Sequence, residues 1–132
     1  KDYIMSSKVE INTDKAPSAI GPYSQAIQVE NILYISGQIP IDPITGDLDN
    51  STFESQVIRV FENLKAICGG CNVSINNIVK INLYLTDLNQ FNIVNGIMAN
   101  YFQKPYPART TVEVSKLPKG ANFEADAIVK LT

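Results

Sequence analysis

The chain has 132 residues, which predicts one domain with one core. Apolar residues make up 45% and charged residues 18%, a composition typical of globular proteins and not of disordered ones. The formal net charge of −2 argues against nucleic acid as the main partner, because phosphate binding is driven by basic charge. No apolar run approaches the ~20 residues of a membrane span, so no membrane partner is expected.

The amino terminus lacks the hydrophobic stretch of a secretory signal peptide. We therefore expect a cytoplasmic protein. A removed transit peptide would leave no trace in this sequence, which keeps an organellar location open.

The first half of the chain predicts a hairpin followed by a helix. Residues 26–30 and 32–36 are interpreted as its two strands, and a short strand near 9–11 would precede them. Ser51 and Glu54 match a capping box, which predicts that the helix begins there. Gly69 and Gly70 are expected to end it. Its apolar residues recur with a period of 3.6: Phe53, Val57, Val60, Phe61, Leu64, Ile67 and Cys68.

The second half predicts a strand at 78–86, a helix at about 88–102, and strands at 109–114 and 123–131. Gly96 interrupts the second helix and suggests close packing there. In the last strand, Phe123 and Ala125 point to one face, while Glu124 and Asp126 point to the other.

The resulting order is β-β-α-β-α-β-β. Two helices of this length cover only one face of such a sheet, so the order predicts an α+β fold with both helices on one side. The other face then meets solvent or another subunit. Several of its residues are apolar or aromatic, which favours an oligomer built on that face.

Cys68 and Cys71 form a C-x-x-C pair, typical of a redox couple or half a zinc site. The chain has no histidine and no second cysteine pair, so four zinc ligands are not available. The pair lies at the predicted end of a helix, where the dipole disfavours a thiolate. We interpret the cysteines as small apolar residues and predict no metal site.

The absence of histidine also excludes Ser-His-Asp and Cys-His catalysis. Arg109 follows Pro105 and Pro107, which would stiffen it for bidentate capture of a carboxylate, although an ordinary charge at a strand end fits equally well. Arg59 fits a solvated charge on the first helix. By pattern alone, Glu124 is a solvent-facing strand residue and Tyr23 a loop aromatic.

Four segments resemble the Rid (reactive intermediate deaminase) family, also called the YjgF family. They are 19–26 (AIGPYSQA), 36–40 (SGQIP), the turn at 42–46 (DPITG), and 107–114 (PARTTVEV), which continues through Leu117-Pro118 to Glu124. Matching segments and element order cover roughly residues 8–131.

This resemblance implies a single Rid-like domain over residues 1–132, with a flexible extension at 1–7 and a chorismate-mutase-like fold. It implies a homotrimer with active sites between adjacent subunits, and no metal or organic cofactor. The implied enzyme is a 2-iminobutanoate/2-iminopropanoate deaminase. It would hydrolyse 2-imino or enamine acids to 2-keto acids and ammonia.

The resemblance also implies roles for single residues. Arg109 would bind the substrate carboxylate, and Glu124 would position the attacking water and accept its proton. Tyr23 would line the cleft, and the backbone of Gly37 would approach the ligand. Thr111 stands where many members carry cysteine; its backbone amide would keep the contact with substrate.

Two other functions stay open at this point. A non-catalytic module that captures small carboxylates or partner proteins would need Arg109 but not Glu124. An endoribonuclease or translation inhibitor, an activity attributed to some members, is disfavoured by the acidic balance and by the absence of histidine.

Overall fold

The computed structural model describes residues 7–132, so the expected flexible extension lies, except for Ser7, outside the described residues. The described part contains six strands and two α-helices in the predicted order. Within it, no helix is both long and apolar enough to cross a membrane. The elements are β1 (Val9–Ile11), β2 (Ala26–Val29), β3 (Ile32–Gln38), α1 (Phe53–Gly70), β4 (Ile78–Leu85), α2 (Phe91–Tyr101), β5 (Ala108–Glu113) and β6 (Phe123–Lys130).

The strands form one sheet in the order β1-β2-β3-β6-β4-β5. All neighbours are antiparallel except β4 and β5, which α2 joins as a parallel crossover. Both helices pack on one face, which confirms the predicted α+β architecture. Along β6, Phe123 and Ala125 are buried under the helices, while Glu124 and Asp126 lie on the opposite, open face.

The core lies between the sheet and α1. Phe61 of α1 is fully buried, and its ring contacts Phe102 and Phe123 edge-on. The apolar stripe predicted for α1 is buried except for Phe53, which is partly exposed. Two polar residues of α1, Gln56 and Asn63, are buried with it and were not predicted.

The predicted capping box at the start of α1 is wrong. Thr52 is the N-cap, and its Oγ1 accepts a hydrogen bond from the Ser55 amide at 3.0 Å. The Ser51 hydroxyl instead donates to Asp49 Oδ1 at 2.6 Å, so it is not available for capping.

The glycines of α1 end that helix as predicted, whereas the glycine of α2 differs from expectation. Gly69 and Gly70 are the last residues inside α1, and the left-handed residue beyond them is Asn72 (φ 62°). A Cβ on Gly96 would meet nothing within 4 Å, so the close packing expected there is absent within the described chain.

Candidate active site

Glu124 lies in a cavity of ≈ 570 Å³ at one end of the open face, where β3 and β6 meet the loops before β2 and β6. Its side chain is half-buried. The carboxylate occupies the space beside Gly37, and a Cβ on Gly37 would overlap Glu124 Oε2. Gly37 also interrupts the register between β3 and β6, which shifts between Ile35 and Gln38. The absence of a side chain at position 37 therefore leaves the space that the Glu124 carboxylate occupies.

The surroundings of Glu124 raise its pKa above the ordinary value. Burial is the larger cause, and the charge of Asp126, two residues along the same face, is the second. Asp126 accepts hydrogen bonds from Asn82 Nδ2 at 2.7 Å and from the Tyr84 hydroxyl at 2.8 Å. A carboxyl group with a raised pKa in a cavity suits proton transfer.

A buried amide positions the loop on one side of this cavity. Gln25 is 2% exposed and accepts a hydrogen bond from the Thr13 amide at 2.9 Å. Its Nε2 donates to the carbonyls of Thr13 at 3.1 Å and Pro17 at 2.9 Å. The loop held in this way carries Tyr23, which lines the cavity and is 54% exposed. Tyr23 is thus available to a ligand.

A second buried amide positions the opposite wall. Asn63 of α1 is fully buried and donates to the carbonyls of Ile39 at 3.4 Å and Ile41 at 3.1 Å. Its Oδ1 accepts from Arg59 Nε at 3.1 Å. Arg59, predicted as a solvated charge, is therefore half-buried against Asn63.

Arg109 lies on edge strand β5, on the face that the helices cover. Its Nη1 donates to Asn95 Oδ1 at 2.7 Å and contacts Met98 Sδ at 3.7 Å. The guanidinium carbon lies 4.9 Å from the centre of the Phe91 ring, a cation–π distance. Arg109 also lines a separate cavity of ≈ 320 Å³, whose walls include Tyr106 and Pro107.

Thr111 follows on the same face of β5, in register with Leu83 of β4. Its Oγ1 is buried and has no hydrogen-bond partner among residues 7–132. The hydroxyl is therefore not exposed to a ligand in the single chain.

The five predicted site residues thus fall into two groups. Tyr23, Gly37 and Glu124 surround the first cavity, whereas Arg109 and Thr111 lie on the other face of the sheet. Strand β4 separates β5 from β6, which places those strands roughly 10 Å apart. A small molecule cannot contact Arg109 and Glu124 of the same chain, so the chain presents two separate candidate half-sites.

Sequence reasoning missed Asn95, which contacts Arg109 directly. A signal for it exists in the sequence. Asn95 lies four residues after Phe91 and three before Met98, so this weak helix former shares one face with two apolar residues.

The cysteines show no sign of activation. Burial raises the pKa of the Cys68 thiol to about 12, and burial also raises the pKa of Cys71. Both are free thiols. Within residues 7–132, no group of three or more His, Cys, Asp or Glu side chains is placed to hold a metal ion.

Comparisons with known proteins agree with the resemblance seen in the sequence. The family described as Endoribonuclease L-PSP matches residues 13–131. A RutC family protein of Pyrococcus abyssi is 48% identical over 122 residues, covering 92% of this chain and 96% of the relative. The 2-iminobutanoate/2-iminopropanoate deaminase of Mus musculus is 43% identical over 118 residues, covering 89% and 87%.

The fold is also that of a solved relative. RidA from the Antarctic bacterium Psychrobacter superimposes with a TM-score of 0.89 at 46% identity, covering 92% of this chain and 98% of that one.

Proposed function

The chain belongs to the Rid/YjgF family, and from this membership we propose that it hydrolyses reactive 2-imino and enamine acids, such as 2-iminobutanoate and 2-iminopropanoate, to 2-keto acids and ammonia. The observation that supports the proposal is the position of the Glu124 carboxylate in the cavity beside Gly37. A half-buried carboxyl group with a raised pKa stands in an accessible cavity, with Gly37 leaving room for it.

The reaction matches the groups available. A 2-imino acid is electrophilic at C2, so water can attack without a covalent enzyme intermediate. Glu124 holds that water and accepts its proton as the C–O bond forms. Protonated Glu124 then returns that proton to nitrogen, which gives a neutral carbinolamine. Glu124 next takes the proton of the carbinolamine hydroxyl and passes it to nitrogen, so the C–N bond breaks, the C=O bond of the keto acid forms and ammonia leaves. The raised pKa of Glu124 favours these transfers.

Arg109 supplies the substrate's orientation in this proposal. Its guanidinium pairs with the carboxylate of the imino acid and thereby fixes C2 relative to the water. Because Arg109 and Glu124 of one chain lie on opposite faces of the sheet, the Arg109 of one copy would serve the Glu124 of another. The family resemblance implies a homotrimer with sites between its subunits, which satisfies this requirement.

Exposed side chains on the open face support association of this kind. Tyr34 is 49% and Val112 39% exposed in the single chain. Covering such residues removes apolar surface from water, which favours a second copy against this face.

The decisive experiment generates 2-iminobutanoate in situ and follows 2-oxobutanoate formation. Wild type should accelerate it, and Arg109→Ala and Glu124→Gln should lose most of the acceleration. Lys65→Ala and Glu54→Gln are the controls, because both residues are exposed and neither lines a half-site. An Arg109→Ala variant with full activity would refute the role assigned to Arg109 in binding the substrate carboxylate.

The same proteins test the two other functions. Binding of 2-oxobutanoate without accelerated hydrolysis would identify a non-catalytic carboxylate-binding module. RNA cleavage lost in the Arg109 or Glu124 variant would identify a nuclease. The absence of histidine and the net charge of −2 make that second outcome the less favoured of the two.

A further inference from the structure

One face of α2 is directed at the guanidinium of Arg109. Phe91, Asn95 and Met98 lie at positions i, i+4 and i+7 of the helix, so they follow one another along the same face. All three contact Arg109, as an aromatic ring, an amide oxygen and a thioether.

These contacts restrain the guanidinium without occupying all its donors. The two hydrogen-bond contacts with α2 both use Nη1. The edge formed by Nη2 and Nε is one of the two edges of a guanidinium that can pair with both oxygens of a carboxylate, and neither of these contacts uses it. The cation–π contact with Phe91 restrains the guanidinium carbon, and the hydrogen bond to Asn95 Oδ1 restrains Nη1.

The chemical type of residue 95 is the informative point. An aspartate in this position would orient the arginine equally well but would cancel its charge. The Asn95 carbonyl accepts a hydrogen bond and carries no net charge, and the other two contacts on α2 are also uncharged. The cation is therefore oriented while its charge stays available to an anion.

We propose that Asn95, assisted by Phe91, is a positioning residue that holds Arg109 ready for a substrate carboxylate and leaves its positive charge uncompensated. This inference rests on the proposed function, since it assumes that Arg109 binds that carboxylate. It adds a residue on a different element and explains why that residue is an amide.

Three variants test the proposal. Asn95→Ala removes the orienting contact, whereas Asn95→Asp keeps an acceptor and adds a carboxylate that competes with substrate for Arg109. Asn92→Asp is the matched control, because it adds the same charge to an exposed position of α2. The Kd for 2-oxobutanoate and the KM for 2-iminobutanoate are measured for each.

We expect Asn95→Asp to raise both constants by about tenfold or more, and by more than Asn95→Ala does, with kcat changed far less. Asn92→Asp should behave as wild type. A purely structural role for Asn95 predicts the reverse order, because aspartate resembles asparagine in size more than alanine does. That order, or an unchanged Kd in Asn95→Asp, would overturn the proposal.

A second readout needs neither substrate nor activity. In ligand-free protein labelled with ¹⁵N-arginine, the Arg109 side chain should be ordered in wild type and mobile in Asn95→Ala. Equal mobility in both proteins would refute the positioning role. Wild type that neither binds 2-oxobutanoate nor hydrolyses the imine would instead refute the proposed function, and the NMR comparison would still decide the role of Asn95.

Discussion

The position of Glu124 depends on the absence of a side chain at residue 37. The space that a Cβ would fill at Gly37 is already taken by the Glu124 carboxylate. Gly37 does not have a positive φ, so its backbone accepts any residue. The requirement for glycine at this position is therefore steric and comes from the opposing strand.

Gly37→Ala should consequently reduce kcat without unfolding the protein. The added methyl group displaces the carboxylate, and a displacement of about 1 Å can cost on the order of 10²-fold in rate. Steady-state rates and thermal unfolding of the variant measure the two effects. Gly69→Ala, where a Cβ would meet nothing within 4 Å, is the matched control. Full activity in Gly37→Ala would contradict the position assigned to the Glu124 carboxylate beside Gly37.

The pH dependence of the reaction should report the raised pKa of Glu124. A general base must be unprotonated, so kcat/KM should fall as the pH drops through that pKa, above the range of an ordinary glutamate. Asp126→Asn removes the neighbouring charge and should move the acidic limb to lower pH, because ionised Glu124 is then less disfavoured.

Other groups near Glu124 bear on this test. Tyr84 faces it from β4, and Lys119 and Tyr23 line the same cavity. Burial raises the pKa of Tyr84 to about 12, with Asp126 and Glu124 contributing, so Tyr84 stays neutral over the range of the measurement. An acidic limb that moves upward in Asp126→Asn would contradict the electrostatic account.

At the level of elements, buried amides connect the loops of the site to the regular structure. Gln25, at the start of β2, holds the loop that carries Tyr23, and Asn63 of α1 holds the segment at residues 39–41. A third amide, Gln56, donates to the carbonyl of Asp49 at 2.8 Å. Buried amides that make all these bonds fix the loops in one arrangement.

Gln25→Leu should lower the free energy of unfolding by about 2 kcal/mol, because it leaves the amide of Thr13 and the carbonyl of Pro17 without partners. Denaturant unfolding measures the change. Gln28→Leu is the control, since its side-chain hydrogen bond to the carbonyl of Glu30 is exposed. The control should change stability by less than about 0.5 kcal/mol. Equal losses in both variants would refute the role given to Gln25.

The elements themselves follow largely from the sequence. The 3.6-residue period of α1 and the alternation along β6 predict the buried face of each element correctly, because each pattern reflects burial on one side of a local element. The cap of α1 was assigned to the wrong residue because Ser51 bonds to Asp49 instead. A sequence motif does not show that a neighbouring acceptor, here the Asp49 carboxylate, competes for the Ser51 hydroxyl.

On the scale of the whole molecule, the sheet separates the two candidate half-sites. Glu124 belongs to the open face, and Arg109 to the face under α2. A shared site between copies is the arrangement that lets both residues act on one substrate, and it makes a direct prediction.

Arg109→Ala and Glu124→Gln, each inactive alone, should regain activity when their chains are co-assembled. In the proposed homotrimer, mixed assemblies would have sites that combine the intact Arg109 of one chain with the intact Glu124 of the next, about a quarter of all sites for an equal mixture. The rate of 2-oxobutanoate formation measures the recovery, with each variant assembled alone as the control. No recovery in verified mixed trimers would mean that each site draws both residues from one chain.

The sequence by itself determined the element order, the core faces, the family and the identities of the candidate site residues. It also indicated that Glu124 faces away from the core, because Phe123 and Ala125 on either side of it are apolar. Each of these features follows from local patterns among residues a few positions apart in the chain.

Only the tertiary structure decided on which face Arg109 lies and what holds it. Strand β5 is at the edge of the sheet and largely exposed on both faces, so its residues show no apolar alternation that would assign a side. Glu124 contacts Gly37, and Arg109 contacts α2; both contacts join residues far apart in the chain. Such contacts depend on strand register and helix packing, which no single segment specifies.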